Sequence, residues 1–189
     1  MKRIAVFCGS NKGTRSAYAE AAENLGRHLA ERGIGLVYGG GCVGLMGLLA
    51  DAALRGGGHV IGVIPEKLVI KNVVHEGLPD LRVVKNMHER KALIAELADG
   101  FIAMPGGYGT YEEFCEILAW AQLGYHKKPF GLLNVAGFYR GFLVFFDHAT
   151  REGFIRPKHR ELVMVEEDPA KLLRRLENFQ PSSEEKWDK

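Results

Sequence analysis

Pro105-Gly106-Gly107-Tyr108-Gly109-Thr110-Tyr111-Glu112-Glu113 decides how this chain is read. An apolar run, Gly100 to Met104, leads into it, and an amphipathic run, Phe114 to Leu123, leads out. The order is strand, glycine-rich turn, helix. Such a turn leaves backbone N–H groups unpaired at a helix N-terminus, where the macrodipole favours an anion. Glycines let a backbone approach that anion closely, because no Cβ stands in the way. A phosphate is the natural guest, and Thr110 can add a hydroxyl. Glu113 faces the same mouth. From spacing alone it has two readings: Thr110-x-x-Glu113 fits a capping box, in which Glu serves the helix start, or the carboxylate does chemistry beside the phosphate.

Outward from this stretch, strands and helices alternate. Short apolar runs fit strands covered on both faces of a parallel sheet: 4–8, 35–38, 60–64, 81–84, 100–104, 130–133 and 162–165. Helical patterns lie between them: 16–32, closed by Gly33, then 45–55, 87–98, 114–123, 138–152 and a last one to Phe179 opened by Asp168-Pro169. Residues 66–80 carry no clear period and read as a long surface loop of the kind that often binds ligands. The pattern predicts an α/β fold: a single Rossmann-like doubly wound domain over 1–180, with a parallel sheet of about seven strands flanked by helices. Residues 181–189 read as a frayed polar tail.

Composition narrows the classes. The chain has 189 residues, enough for one domain with a buried core. Lys and Arg number 25 against 23 Asp and Glu, a balance that gives no support to a nucleic-acid or anionic-membrane partner. No run of about 18 apolar residues suggests a membrane span. Three cysteines without CxxC spacing (Cys8, Cys42 and Cys115) argue against a disulfide framework or zinc site and fit a reducing cytoplasm. No metal and no cofactor is expected. Cys8 and Cys115 are expected to be packed, Glu112 and Glu116 to be solvated or dipole-favoured, and Lys127-Lys128 to be a solvated pair.

Gly39-Gly40-Gly41-Cys42-Val43-Gly44 satisfies GxGxxG. It follows the second strand, however, and the third strand ends in Val63-Ile64-Pro65 with no acidic residue for a ribose diol. A mononucleotide pocket suits these glycines better than a dinucleotide site. Arg90 and Lys91 open a helix, where the dipole disfavours cations and a compensating anion is expected.

Pro105-Gly106-Gly107-Tyr108-Gly109-Thr110-x-x-Glu113, preceded by Met87-His88-Glu89-Arg90-Lys91, resembles the Lonely Guy (LOG) family. Ser10, the Gly39-Gly40-Gly41 turn with Gly44-Leu45-Met46-Gly47, and Trp120-Ala121-Gln122-Leu123-Gly124 are similar to that family too. The resemblance covers residues 1 to 179. It implies a cytokinin riboside 5′-monophosphate phosphoribohydrolase: hydrolysis of the N-glycosidic bond of AMP or an N6-substituted AMP. It implies Arg90 and Glu113 as the catalytic pair. It implies a substrate site from Ser10, Gly40, Gly41, Asn72, Met87, Lys91, Gly107, Tyr108, Gly109 and Thr110. It further implies a homodimer with sites near the interface. Asn72 stands where the family often has Glu, and Ala119 where it often has Thr, both toward the base or ribose end. Such sequences have also been named lysine decarboxylases, but no lysine here has a recognisable pyridoxal-phosphate context. The rival class is a non-catalytic nucleotide sensor or carrier on the same fold.

Overall fold

A computed structural model describes residues 1–71 and 73–180. Among these, seven strands form one parallel sheet: β1 (Arg3–Phe7), β2 (Gly35–Tyr38), β3 (Val60–Pro65), β4 (Asp80–Val84), β5 (Gly100–Ala103), β6 (Phe130–Leu133) and β7 (Val163–Glu166). Their spatial order is β4-β3-β2-β1-β5-β6-β7. Every residue of β2, β3, β5 and β6 is buried, which is why these strands read as unbroken apolar runs, whereas the edge strands β4 and β7 are only partly covered.

The helices are α1 (Ser16–Glu31), α2 (Gly44–Arg55), α3 (Glu66–Val69), α4 (Met87–Leu97), α5 (Tyr108–Gln122), α6 (Arg140–Arg151), α7 (Pro157–Arg160) and α8 (Pro169–Glu177). Alternation along β1 divides the core. Ile4 and Val6 pack with residues of α1, α2 and α8, and Ala5 and Phe7 with residues of α4, α5 and α6. The expected Rossmann-like layering is what the chain adopts.

Strand order reverses between β1 and β5, the switch point where ligands of such sheets bind. Backbone bonds tie the two departing turns together there: Met104 N–H donates to Phe7 O at 2.9 Å and Gly9 N–H to Pro105 O at 3.0 Å. Leu45 N–H donates to Gly9 O at 3.0 Å, and a Cβ on Gly44 would lie 2.2 Å from the Ser10 carbonyl carbon. Gly44, at φ +62°, lets α2 start flush against this turn.

Several local expectations change. The 66–80 loop opens with the short helix α3, then runs antiparallel to the Gly39–Cys42 turn through a Gly41–Val74 bridge. Short elements of this kind carry too little periodicity to be seen in sequence. The helix expected from Phe138 starts at Arg140, after a 3-10 turn at Val135–Gly137. Tyr139 at this junction is fully buried and donates its hydroxyl to Met104 O at 2.5 Å. Cys115 is exposed rather than packed, while Cys8 is buried as expected. Lys128 is not simply solvated, since its ammonium donates to Ala95 O at 2.6 Å. The tail at 181–189 lies outside the described residues.

Candidate active site

The α5 start sets the site. Gly107 is the N-cap residue and no side chain caps the helix. Thr110 is therefore the third helical residue and Glu113 the sixth, so the capping-box reading does not hold. The first N–H bonded back into the helix is that of Tyr111, which donates to Gly107 O at 3.0 Å. The amides of Tyr108, Gly109 and Thr110 belong to the opening turn, which has no intrahelical acceptor for them. Thr110 is 3% exposed, and its hydroxyl lies under Gly106, where a Cβ would come within 2.1 Å of it.

The capping pattern instead occurs on α4. Asn86 Oδ1 accepts from Glu89 N–H at 2.9 Å, and Glu89 accepts from Lys85 N–H at 3.0 Å. This fixed start aims the next residue, Arg90, across the ends of β2 and β3. Arg90 Nε donates to Val63 O at 3.1 Å and Nη1 donates to Glu113 Oε1 at 2.6 Å. Both side chains are about nine-tenths buried. Burial lifts the Glu113 carboxyl above its ordinary range, and the guanidinium opposes that rise. Burial and the Glu113 charge together hold the nearby Cys8 thiol protonated.

A cavity of 330 Å³ gathers these groups. That size falls within the roughly 300–1,000 Å³ typical of small-molecule sites. Ser10, Met87, Arg90, Gly107, Tyr108, Gly109, Thr110 and Glu113 line it, eight of the residues singled out from sequence. Gly40, Gly41 and Lys91 are not among its lining residues. Gly40 and Gly41 hold the 66–78 segment: His75 N–H donates to Gly40 O at 3.0 Å, and Gly41 bridges Val74. Lys91 donates to Glu112 and, at 3.1 Å, to Glu116. The compensating anions expected for Arg90 and Lys91 are thus Glu113 and the Glu112–Glu116 pair, and the latter two are engaged rather than merely solvated. Asn72 lies outside the described residues. Ala119 lines a separate apolar cavity with Leu118, Phe146 and Ile155.

Gly39, one of the glycines expected to suit a mononucleotide pocket, also lines the cleft, as do Met46, Leu68 and Glu112, which the sequence did not single out for it. Gly39 has a specific geometric reason, because a Cβ there would lie 2.1 Å from Arg90 Nη2. Its signal was its place as the first glycine of the GxGxxG run, directly after β2. Among the described residues no lysine lines the cleft and no group of His, Cys, Asp or Glu could hold a metal.

The chemistry on offer is an anion cradle beside a buried, ionisable carboxylate held by a guanidinium. Comparison with known proteins places it among others. The family model described as "possible lysine decarboxylase" matches residues 46–176. Cytokinin riboside 5′-monophosphate phosphoribohydrolase LOG of Oryza sativa subsp. japonica is 53% identical over 183 residues, covering 97% of this chain and 76% of that one. Cytokinin riboside 5′-monophosphate phosphoribohydrolase LOG7 of Arabidopsis thaliana is 51% identical over 184 residues, covering 97% and 85%. Among solved structures, the molybdenum cofactor carrier protein of Chlamydomonas reinhardtii is similar in fold, with a TM-score of 0.71 at 24% identity, covering 93% and 96% of the two chains.

Proposed function

We propose, because the chain belongs to the LOG family of cytokinin riboside 5′-monophosphate phosphoribohydrolases, that it is an N-glycosidase that hydrolyses AMP or an N6-substituted AMP to free base and ribose 5-phosphate. The observation that carries this reading is the Arg90–Glu113 pair in one cleft with the opening amides of α5. A sensor or carrier would use the amides but would have no use for a buried carboxylate beside them.

The opening turn of α5 holds the 5′-phosphate. This is binding energy remote from the reacting bond, and it fixes the ribose against the catalytic groups. As the glycosidic bond breaks, positive charge develops on the ribose. Glu113, ionised, stabilises that charge or orients the attacking water. A guanidinium is a poor general acid, so Arg90 is given no proton-transfer role. It holds Glu113 in place, and its Nη2 lies over Gly39 at the cleft wall.

Two further expectations accompany this reading. A homodimer with sites near the interface is supported by an open cleft along α4 and the C-terminal end of α5, the helices that carry the catalytic pair, where Ala92, Ala95, Trp120 and Tyr125 lie beside Glu96, His126 and Lys128. A cytoplasmic location is supported by three free cysteines. No helix of the described residues is long and apolar enough to cross a membrane.

The test is incubation with AMP and isopentenyladenosine monophosphate, with chromatography for free base and ribose 5-phosphate. Release of base supports the reaction. Tight AMP binding with no base released would instead establish a sensor or carrier.

A further inference from the structure

Three carboxylates stand on α5 just behind the phosphate cradle: Glu112, Glu113 and Glu116. The helix start favours one anion, but further negative charge held beside it works against a dianionic phosphate. Arg90 answers Glu113. Glu112 lines the cleft and its side chain is half exposed. It is also spaced i,i+4 from Glu116, so the two repel each other unless a cation lies between them. That cation is Lys91, whose ammonium donates to both carboxylates. Its side chain is 10% exposed. Burial works against its charge, yet the two carboxylates outweigh burial and raise its pKa. Arg90 and Lys91, about 100° apart on α4, thus serve different carboxylates of the same neighbouring helix.

We propose that Lys91 is a positioning residue for the substrate phosphate: it does not touch the nucleotide, but holds and neutralises Glu112 beside the cradle so that a phosphate dianion can occupy the α5 start. This deepens the phosphoribohydrolase reading and rests on it. The competing account is a lysine that contacts the phosphate directly. Both accounts predict weaker substrate binding when Lys91 is lost. They differ when Glu112 is removed as well, because a repulsion can be relieved and a missing contact cannot.

The experiment measures KM and kcat for base release from AMP in Lys91→Met, Glu112→Gln, the double variant and Lys91→Arg. Met keeps the stem that packs between the helices. Lys91→Met should raise KM about tenfold with kcat within about threefold, since unrelieved charge repulsion acts on binding. Adding Glu112→Gln should return KM to within about threefold of the Glu112→Gln value. Lys91→Arg keeps the charge and should stay within about threefold of wild type. An unchanged KM in Lys91→Met, a double variant as impaired as Lys91→Met, or a tenfold loss in Lys91→Arg each overturns the proposal. Lys91→Arg also serves if Lys91→Met folds poorly. Absence of base release by the wild type removes the reaction itself, whereas base release with an unrepaired double variant removes only the role of Lys91.

Discussion

Glu113 lies 2.6 Å from Arg90 Nη1 and almost out of water. Its two charge states have different uses: the carboxylate can stabilise a ribosyl cation and the neutral acid cannot. Glu113→Gln should therefore cut kcat for base release about a hundredfold or more while AMP still binds. Retained activity would remove Glu113 from the mechanism. Because burial raises its pKa above the ordinary 4.5, activity should fall with acid at a pH above that value, read as the acid limb of kcat/KM. For stability the sign is opposite. The folded chain holds this proton more tightly than the unfolded chain, so the stabilising contribution is present below the unfolded pKa and is lost as pH rises through the folded one. Arg90→Met leaves Glu113 buried without its cation. It should destabilise the fold by about 3 kcal/mol, measured by denaturant titration, and abolish base release.

Glycines at the contacts between elements separate stability from catalysis. Gly26 lies where α1 crosses α2, and a Cβ there would come within 2.4 Å of Leu49 O, a backbone atom with no room to retreat. Gly26→Ala should cost about 2 kcal/mol by overpacking. For a chain of this size that corresponds to a Tm lower by roughly 4–8 °C, with KM unchanged. Gly39, at the end of β2, meets a different neighbour, the Arg90 guanidinium. Gly39→Ala should leave Tm close to wild type, because a side-chain tip can move, but it should displace Arg90 and lower kcat. A shift on the ångström scale in a catalytic group can cost roughly a hundredfold. Equal losses of Tm in the two variants would refute this division.

At the scale of the whole molecule, the reversal of strand order between β1 and β5 brings the Gly9-Ser10 turn and the Pro105–Gly107 turn side by side. The β2 and β3 ends then supply Gly39 and Val63 to the guanidinium of α4. The site thus draws on residues from 6 to 113 along the chain. The expected homodimer belongs to this scale as well. Light scattering on the purified full chain should give twice the chain mass, and a monomer that turns over AMP would show that the cleft is complete without a partner.

Local physics was enough for much of this. Continuous apolar runs specify strands buried on both faces, and glycine after a strand specifies an open helix start, because both depend on neighbours in sequence. The seven strands, the alternation and the open start of α5 were therefore legible, as was the family resemblance carried by the 105–113 motif. The Thr110–Glu113 cap, one of the two readings that spacing permits, fails because the helix begins at Tyr108, three residues before a Thr110 cap would start it. What only the tertiary structure decided is pairing. Arg90 and Glu113 are 23 residues apart, and Lys91 meets Glu112 and Glu116 across two helices. Gly39 matters solely because a guanidinium from another element lies over it. Burial of a charge and the partner that answers it depend on which surfaces the sheet brings together, and no window of sequence contains that distance.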